Sequence, residues 1–139
     1  MMFQKLKFRW IPGQFAVCRL SADAPIPTWA TSGPFTSITR TADELSIVCS
    51  LENTPQEHRP EVPWICLKLE GPFDFQQVGI LASFIAPLAE RGVPIFAIST
   101  YDTDYVLVRE DIADIALDAL REAGHQLWRE DDSRRKRIE

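Results

Sequence analysis

Residues Phe96 to Glu110 read FAISTYDTDYVLVRE, two runs of strand-forming residues joined by a short polar turn. Runs separated by so few residues predict a β-hairpin. The turn contains two carboxylates, Asp102 and Asp104. The hydroxyl side chains of Ser99 and Thr100 come just before them. These four side chains are compatible with ordinary turn chemistry, a catalytic pair, a metal site or one side of a pocket for a small polar ligand.

A helix is predicted on each side of this hairpin. Before it, apolar residues recur at three- and four-residue spacing between Gln76 and Arg91, as one face of a helix requires. Pro87 removes one backbone hydrogen bond inside this pattern, so we expect a bend or a loosened last turn, and Gly92 is placed to end the helix. After the hairpin, Asp111 is predicted to cap a second helix, which Gly124 ends.

A strand candidate at Trp64 to Glu70 and a short final one at His125 to Trp128 complete the order β-α-β-β-α-β, the ferredoxin-like arrangement. In the first half, QFAVCRL, FTSITRT and ELSIVCS predict strands, KLKFRW predicts an additional edge strand, and a short helical piece is expected around Thr28 to Thr31. The proline-rich segment Glu52 to Pro63 is interpreted as a linker. A faint repeat between FTSITRTADELSIVCS and IFAISTYDTDYVLVRE suggests duplicated units. The sequence therefore predicts an α+β fold.

The composition of the chain limits its partners and its compartment. At 139 residues it can form one ordinary domain or two very small ones that share a core. A net charge of -5 argues against a nucleic-acid partner. No signal sequence and no apolar run of membrane-spanning length is present, so we expect a cytoplasmic protein with no membrane partner and a charged, mobile tail at 129–139. Three cysteines without zinc spacing suit a reducing compartment and are expected to be buried: Cys18, Cys49 and Cys66.

Catalytic and metal-binding interpretations of the turn have little support. The DTD sequence lacks the downstream Gly and Glu of a calcium loop, and no His or Cys cluster is near it. An aspartic protease would need Gly where Asp104 stands and a longer chain. No nucleophile signature is present, and His58 and His125 are both expected at the surface. We therefore expect no enzyme activity, no cofactor and no metal.

The stretch GPFDFQQVGILASFIAPLAERGVPIFAISTYDTDYVLVRE, Gly71 to Glu110, closely resembles ACT domains, small regulatory modules that bind amino acids. The matching features are the Gly79-Ile80 pair, the passage LAERGVPIFAIST and the D-x-x-LV return strand that begins at Asp104. The stretch resembles the ACT branch of small bacterial two-domain proteins predicted to bind amino acids, the cytosolic arginine sensors of animals and the regulatory end of aspartate kinases. TADELSIVC in the first half is similar to the degenerate N-terminal unit of that branch.

The resemblance implies two tandem ferredoxin-like ACT-type units with antiparallel sheets and helices on one face. A reduced unit would occupy residues 1–58 and an ACT domain residues 59–128. The ligand would lie between the loop that follows the first strand of the ACT domain and the hairpin. The expected ligand-binding residues are Phe73, Asp74, Gln77, Val78, Gly79, Ile80, Ser99, Thr100, Tyr101, Asp102 and Asp104.

Physical chemistry gives these residues distinct expected roles. Backbone N–H groups at a helix start near Gln76 would meet a ligand carboxylate, and Gly79, which has no Cβ, would let the ligand come close. Asp74, Asp102 and Asp104 would accept hydrogen bonds from its ammonium group. The position that matches Gln77 is acidic in the arginine sensors.

The sequence thus predicts a regulatory amino-acid sensor with no catalytic domain. We expect it to form a homodimer and to act on a separate regulated protein. One alternative is a structural interaction module whose pocket is vestigial. Another is an enzyme for an amino-acid-like substrate, which would require a strongly perturbed carboxylate in the turn.

Overall fold

Seven strands form one sheet in the computed structural model, which describes residues 4–71 and 79–128. The strands are β1 (Lys7–Leu20), β2 (Ser37–Arg40), β3 (Leu45–Ser50), β4 (Trp64–Leu69), β5 (Phe96–Ser99), β6 (Asp104–Arg109) and β7 (Gln126–Leu127). The helices are α1 (Ile80–Glu90) and α2 (Ala113–Glu122), and short 3₁₀ turns lie at Thr28–Ala30, Leu51–Asn53, Gln56–His58 and Glu110–Ile112. The strand order is β2-β3-β1-β4-β6-β5, antiparallel throughout, and β7 pairs in parallel with β1.

The two helices pack against one face of this sheet. Alternate residues of a strand point to opposite faces, and the alternating residues Leu67 and Leu69 of β4 and Val106 and Val108 of β6 are fully buried in the core cluster that contains the helices. The helix residues in that cluster include Ile80, Phe84, Leu88, Ala116 and Leu120. The predicted α+β class with an antiparallel sheet is confirmed. Among the described residues, no helix is long and apolar enough to cross a membrane.

The prediction of a separate edge strand near the start of the chain was wrong. The last four residues of KLKFRW, from Lys7 on, belong to the 14-residue strand β1, in which Phe8 pairs with Leu69 of β4 on one side and Leu127 of β7 on the other. A β-bulge between Ile11 and Phe15 absorbs the proline and glycine that interrupt the strand pattern. Beyond the bulge, β1 continues as the partner of β3. It therefore occupies the place beside β4 that the last strand of a lone β-α-β-β-α-β unit would take.

Two smaller predictions about the second half had different outcomes. Gly92 and Gly124 have φ angles of 70° and 95°, which confirms that they end the helices in the left-handed conformation. Asp111 does not cap α2, because it lies in the 3₁₀ turn that precedes the helix and binds the guanidinium of Arg109 at 2.7 Å. The carboxylate is held by the cation two residues before it, which leaves the helix start without a side-chain cap.

The proline-rich segment between the halves is packed rather than free. Thr54 is 2% exposed and donates to the carbonyl of Ser50 at 2.9 Å, and Arg59 donates to the carbonyl of Thr54 at 2.8 Å. The thiol of Cys18 lies 3.2 Å from the carbonyl of His58. The bonds of Thr54 to Ser50 and of Cys18 to His58 hold the segment against the first half of the chain.

The three cysteines are free and buried, as predicted. Burial raises the pKa of Cys18 to about 11, with a smaller contribution from Cys49, and raises the pKa of Cys66 to about 12. Since the thiolate is the reactive form, these thiols serve as small apolar core residues.

Candidate functional site

The β5–β6 hairpin has the register that the sequence predicts. Ser99 pairs with Asp104 at the end next to the turn, and the backbone N–H of Thr100 donates to the carbonyl of Thr103 at 2.8 Å. The hydroxyl of Thr100 donates to the same carbonyl at 3.0 Å. Thr100 therefore closes the turn, and its expected contact with a ligand stays a prediction.

Thr103, which the sequence analysis did not select, anchors the hairpin. Its side chain is buried, and its hydroxyl donates to the carbonyl of Leu69 at 2.7 Å. Leu69 is the last residue of β4, so this bond ties the turn to the start of the loop that leads to α1. No sequence signal could reveal it, because the acceptor lies 34 positions away and is a main-chain atom.

Ser99 and Asp104 form a hydroxyl–carboxylate pair at the end of the sheet. The hydroxyl of Ser99 donates to Oδ1 of Asp104 at 2.5 Å. By strand alternation Asp104 shares a face with Val106 and Val108, the face that carries the helices. Within the described residues, no Lys or Arg forms an ion pair with Asp104. Its carboxylate can still accept hydrogen bonds from a cationic group, which are the stronger kind.

The turn residues Tyr101 and Asp102 are directed outward. Tyr101 is 81% exposed and Asp102 is also exposed, so neither forms a pocket wall with the described residues of this chain. Tyr105 lies on the opposite face of β6 from Asp104. Burial raises the pKa of Tyr105, and Cys66, Asp102 and Glu70 raise it further.

The helix α1 starts at Ile80, later than the predicted start near Gln76, and Gly79 directly precedes it. This residue has a φ angle of 81° and is the N-cap of a helix that begins at Ile80. Among the described residues, no atom lies within 4 Å of a Cβ placed there, so glycine serves the left-handed backbone conformation. Ile80 is 5% exposed and is a core residue rather than a surface that a ligand can reach.

Four expected ligand-binding residues lie outside the described residues: Phe73, Asp74, Gln77 and Val78. The described part of the predicted site is the Ser99–Asp104 pair, the turn beside it and the helix start at Gly79. The hairpin offers acidic and hydroxyl acceptors, and the helix start offers backbone N–H groups. Among the described residues, no group of three or more His, Cys, Asp and Glu is arranged to hold a metal ion.

Comparisons with protein families divide the chain into two matched regions. A family profile described as an ACT domain matches residues 61–122, and a profile described as an N-terminal domain matches residues 13–57. The hairpin and both helices lie within the first of these, and the bulge of β1 together with β2 and β3 lies within the second.

Two curated relatives match part of the chain. The bovine cytosolic arginine sensor for mTORC1 subunit 1 is 33% identical over an alignment of 97 residues. The alignment covers 62% of this chain and 30% of the sensor. The human putative protein CASTOR3P is 34% identical over 87 residues, which are 53% of either chain. This chain therefore spans less than a third of the length of the bovine sensor.

Two solved structures match nearly the whole chain. Protein Atu0741 from Agrobacterium tumefaciens is 45% identical, with a TM-score of 0.83 that covers 90% of this chain and 93% of that one. Protein VC0802 from Vibrio cholerae, titled a possible transport protein of unknown function, has a TM-score of 0.69 at 22% identity, with 87% and 91% coverage. The second likeness shows the fold alone.

Proposed function

Because this chain contains an ACT domain and belongs to the same family as Atu0741, we propose that it is a regulatory protein that binds an amino acid and has no catalytic domain. The Ser99–Asp104 pair is the observation that carries the proposal. It lies inside the ACT match, has no cationic partner in the described residues, and is held beside the end of β4 by Thr103.

The chemistry of the site favours a ligand with a cationic group at the hairpin. Asp104 accepts a hydrogen bond from the ligand ammonium or from a basic side chain of the ligand, and Asp102 lies two residues before it. The N–H groups before and at the start of α1 receive the ligand carboxylate. Arginine is the first ligand to test, because the bovine relative is named an arginine sensor. Gln77 supplies an amide where the arginine sensors place a carboxylate, so other amino acids belong in the same test.

A thermal-shift screen of the purified protein against the twenty amino acids tests the proposal. A ligand at 100 times its Kd that binds only the folded state adds about 2.7 kcal/mol of stability. Asp104→Asn removes the charge and should abolish the shift. Asp23→Asn is the matched control, since Asp23 also accepts a serine hydroxyl, that of Ser21 at 2.9 Å, but lies in the other half of the chain. A shift retained in Asp104→Asn, or no shift with any amino acid, contradicts the proposal.

The wider organisation of the protein is part of the same proposal. Residues 1–58 form a reduced ACT-like unit and residues 59–128 the ACT domain, a division supported by the boundaries of the two family matches. The protein acts in the cytoplasm as a homodimer, and its regulatory output passes to a separate protein. Size-exclusion chromatography with light scattering measures the dimer, and co-purification with and without the ligand measures the partner.

A second candidate function is a structural interaction module with a vestigial pocket. It is favoured by the sheet face opposite the helices, where half-buried apolar side chains surround a small core cluster. These side chains are Ile11, Val17, Trp64, Phe96, Ile98 and Tyr105. If the screen finds no ligand while substitutions on this face dissociate an assembly, the interaction module replaces the sensor.

A further inference from the structure

The carbonyl group of Ser83 in α1 has lost its usual partner within the helix. That partner would be the backbone N–H of residue 87, which is a proline and has none. The Nε2 atom of His125 lies 2.9 Å from the Ser83 oxygen. His125 therefore supplies the hydrogen bond that Pro87 removes, although the sequence predicted a surface position for this histidine.

The other ring nitrogen fixes the protonation state of His125. The backbone N–H of Leu6 donates to Nδ1 at 3.0 Å, so Nδ1 carries no proton and Nε2 must carry it. The side chain is 4% exposed, and burial lowers its pKa, an effect that the bond to Ser83 offsets in part. Only the neutral ring satisfies both neighbours, because protonation of Nδ1 would place two N–H groups against each other.

Further bonds at the same place connect three parts of the chain. The hydroxyl of Ser83 accepts from the backbone N–H of Gln4 at 3.1 Å and donates to the carbonyl of Gly79 at 2.7 Å. We refer to Gln4, Leu6, Gly79, Ser83 and His125 as the His125 junction. It joins the segment ahead of β1, the start of α1 and the residue ahead of β7.

Within the part of the chain that the structure describes, no carboxylate forms a hydrogen bond or an ion pair with the histidine ring. The α1 residue against it is Phe84, at 5.3 Å between ring centroids. On the leading segment, Lys5 lays its methylene chain against Gly124, so the neighbouring charge is positive.

The ion pairs of the packed helices do not include His125, and the remaining carboxylates on these helices, Glu90 and Asp114, are exposed. On α2, Arg121 binds Asp118, and Glu122 binds Arg91. An imidazolium in this position would therefore be buried without a partner, which is costly.

We propose that the His125 junction is a proton-operated latch, which holds the start of α1 while His125 is neutral and opens locally when the ring is protonated. Because Gly79 belongs both to the junction and to the predicted ligand site, opening lowers the affinity for the ligand. This regulatory consequence rests on the proposed function, whereas the local opening does not.

Amide hydrogen exchange of the ligand-free protein tests the latch. Between pH 7.5 and 5.0 the protection factors of the Leu6 and Ser83 amides should fall by up to about thirtyfold, the limit for a histidine with a pKa near 6.5 in the open state that stays neutral in the closed state. Their exchange should be insensitive to low urea concentrations, as local opening requires. Exchange of these amides only through urea-sensitive global unfolding would overturn the proposal.

Two histidine variants separate the junction from general acid effects. His125→Gln keeps an amide that can donate to Ser83 but does not titrate, so the pH dependence of the Leu6 and Ser83 amides should disappear. His58→Gln replaces the only other histidine of the chain, which stacks on Trp29. This variant should keep the pH dependence of the Leu6 and Ser83 amides. A pH dependence that persists in His125→Gln would overturn the latch. If that variant does not fold, the urea test on the unaltered protein decides.

The effect of the latch on ligand affinity is tested by a separate binding measurement. Arginine, or whichever amino acid shifts the melting temperature, should bind more weakly at pH 5.5 than at pH 7.5 in the unaltered protein and not in His125→Gln. Equal pH dependence in both proteins would contradict coupling to the site. If no amino acid binds, the proposed function fails, and the exchange measurements still decide the latch alone.

Discussion

The hydroxyl of Thr103 is a single polar group on which the position of the hairpin turn depends. Thr103→Val retains the shape and the strand preference of the side chain but removes the donor to the carbonyl of Leu69. We expect the free energy of unfolding to fall by about 1–2 kcal/mol, because a buried carbonyl loses its hydrogen bond. Urea denaturation measures the loss. Thr100→Val is the control, since that hydroxyl is exposed and should cost less; equal losses would contradict the anchor.

Gly79 tests backbone strain at the same end of the sheet. Gly79→Ala should lower the free energy of unfolding by about 1–2 kcal/mol, the cost of a left-handed conformation for a residue with a Cβ. Gly79→Asn should cost less, because asparagine tolerates this conformation. Gly33→Ala should cost more, because its Cβ would lie 2.5 Å from the hydroxyl of Ser50, in addition to the strain of a φ of 125°. Thermal denaturation of the three variants gives the order.

At the scale of the element, the carbonyl of Ser83 in α1 can be bonded either by His125 or, if Pro87 is replaced, by the backbone N–H of residue 87. Pro87→Ala restores a backbone N–H that can bond to Ser83 within the helix, which makes the bond from His125 less important. We expect His125→Leu, which cannot donate to the Ser83 carbonyl, to destabilise the unaltered protein more than it destabilises Pro87→Ala. The four proteins form a double-mutant cycle, measured by urea denaturation, with an expected interaction energy of about 0.5–3 kcal/mol. Additive effects would show that His125 does not compensate for the proline.

The elements of the second half could be predicted because their signals are local. Apolar spacing at 3.6 residues locates α1, and two strand-forming runs around a short turn locate the hairpin. The same local reading recognised that Pro87 removes a hydrogen bond. It could not find the replacement, because His125 lies 42 positions from Ser83.

The errors arise where a long-range partner or an unusual backbone decides the outcome. A strand pattern broken by Pro12 and Gly13 predicts two strands, although a bulge lets one strand continue. The position of Asp111 before a helical pattern predicts a cap, although Arg109 binds its carboxylate. The ligand-binding role of the site residues stays a prediction, because it depends on a molecule that the sequence does not contain.

At the scale of the whole molecule, His125 makes stability depend on pH. Its folded-state pKa is lowered, so the unfolded chain binds more protons at acidic pH. This contribution is fully present above pH 6.5 and is lost as the pH falls toward the folded-state pKa, at up to about 1.4 kcal/mol per pH unit. Urea denaturation between pH 7.5 and 5.0 should show the slope in the unaltered protein and in His58→Gln. A similar slope in His125→Gln would assign it to other groups.

The position of β1 determines whether the ACT region can fold by itself. Phe8 is 2% exposed, packs against Phe84 with ring centroids 5.2 Å apart, and pairs with Leu69 of β4. A chain of residues 59–139 loses this strand from the middle of its sheet and exposes the edge of β4. We expect it to be unfolded or aggregated, as judged by poor dispersion in a ¹H–¹⁵N NMR spectrum.

Addition of a peptide of residues 4–20 should restore dispersion, since it supplies β1 in full. A well-dispersed spectrum of residues 59–139 alone would contradict this expectation and would mean that β7 can take the vacant place beside β4. The expected failure would instead mean that the boundary near residue 58 divides the sequence families but not the folding unit, because one strand contributes core residues to both halves. Loss of β1 would then remove the ligand site and the His125 junction in the same step.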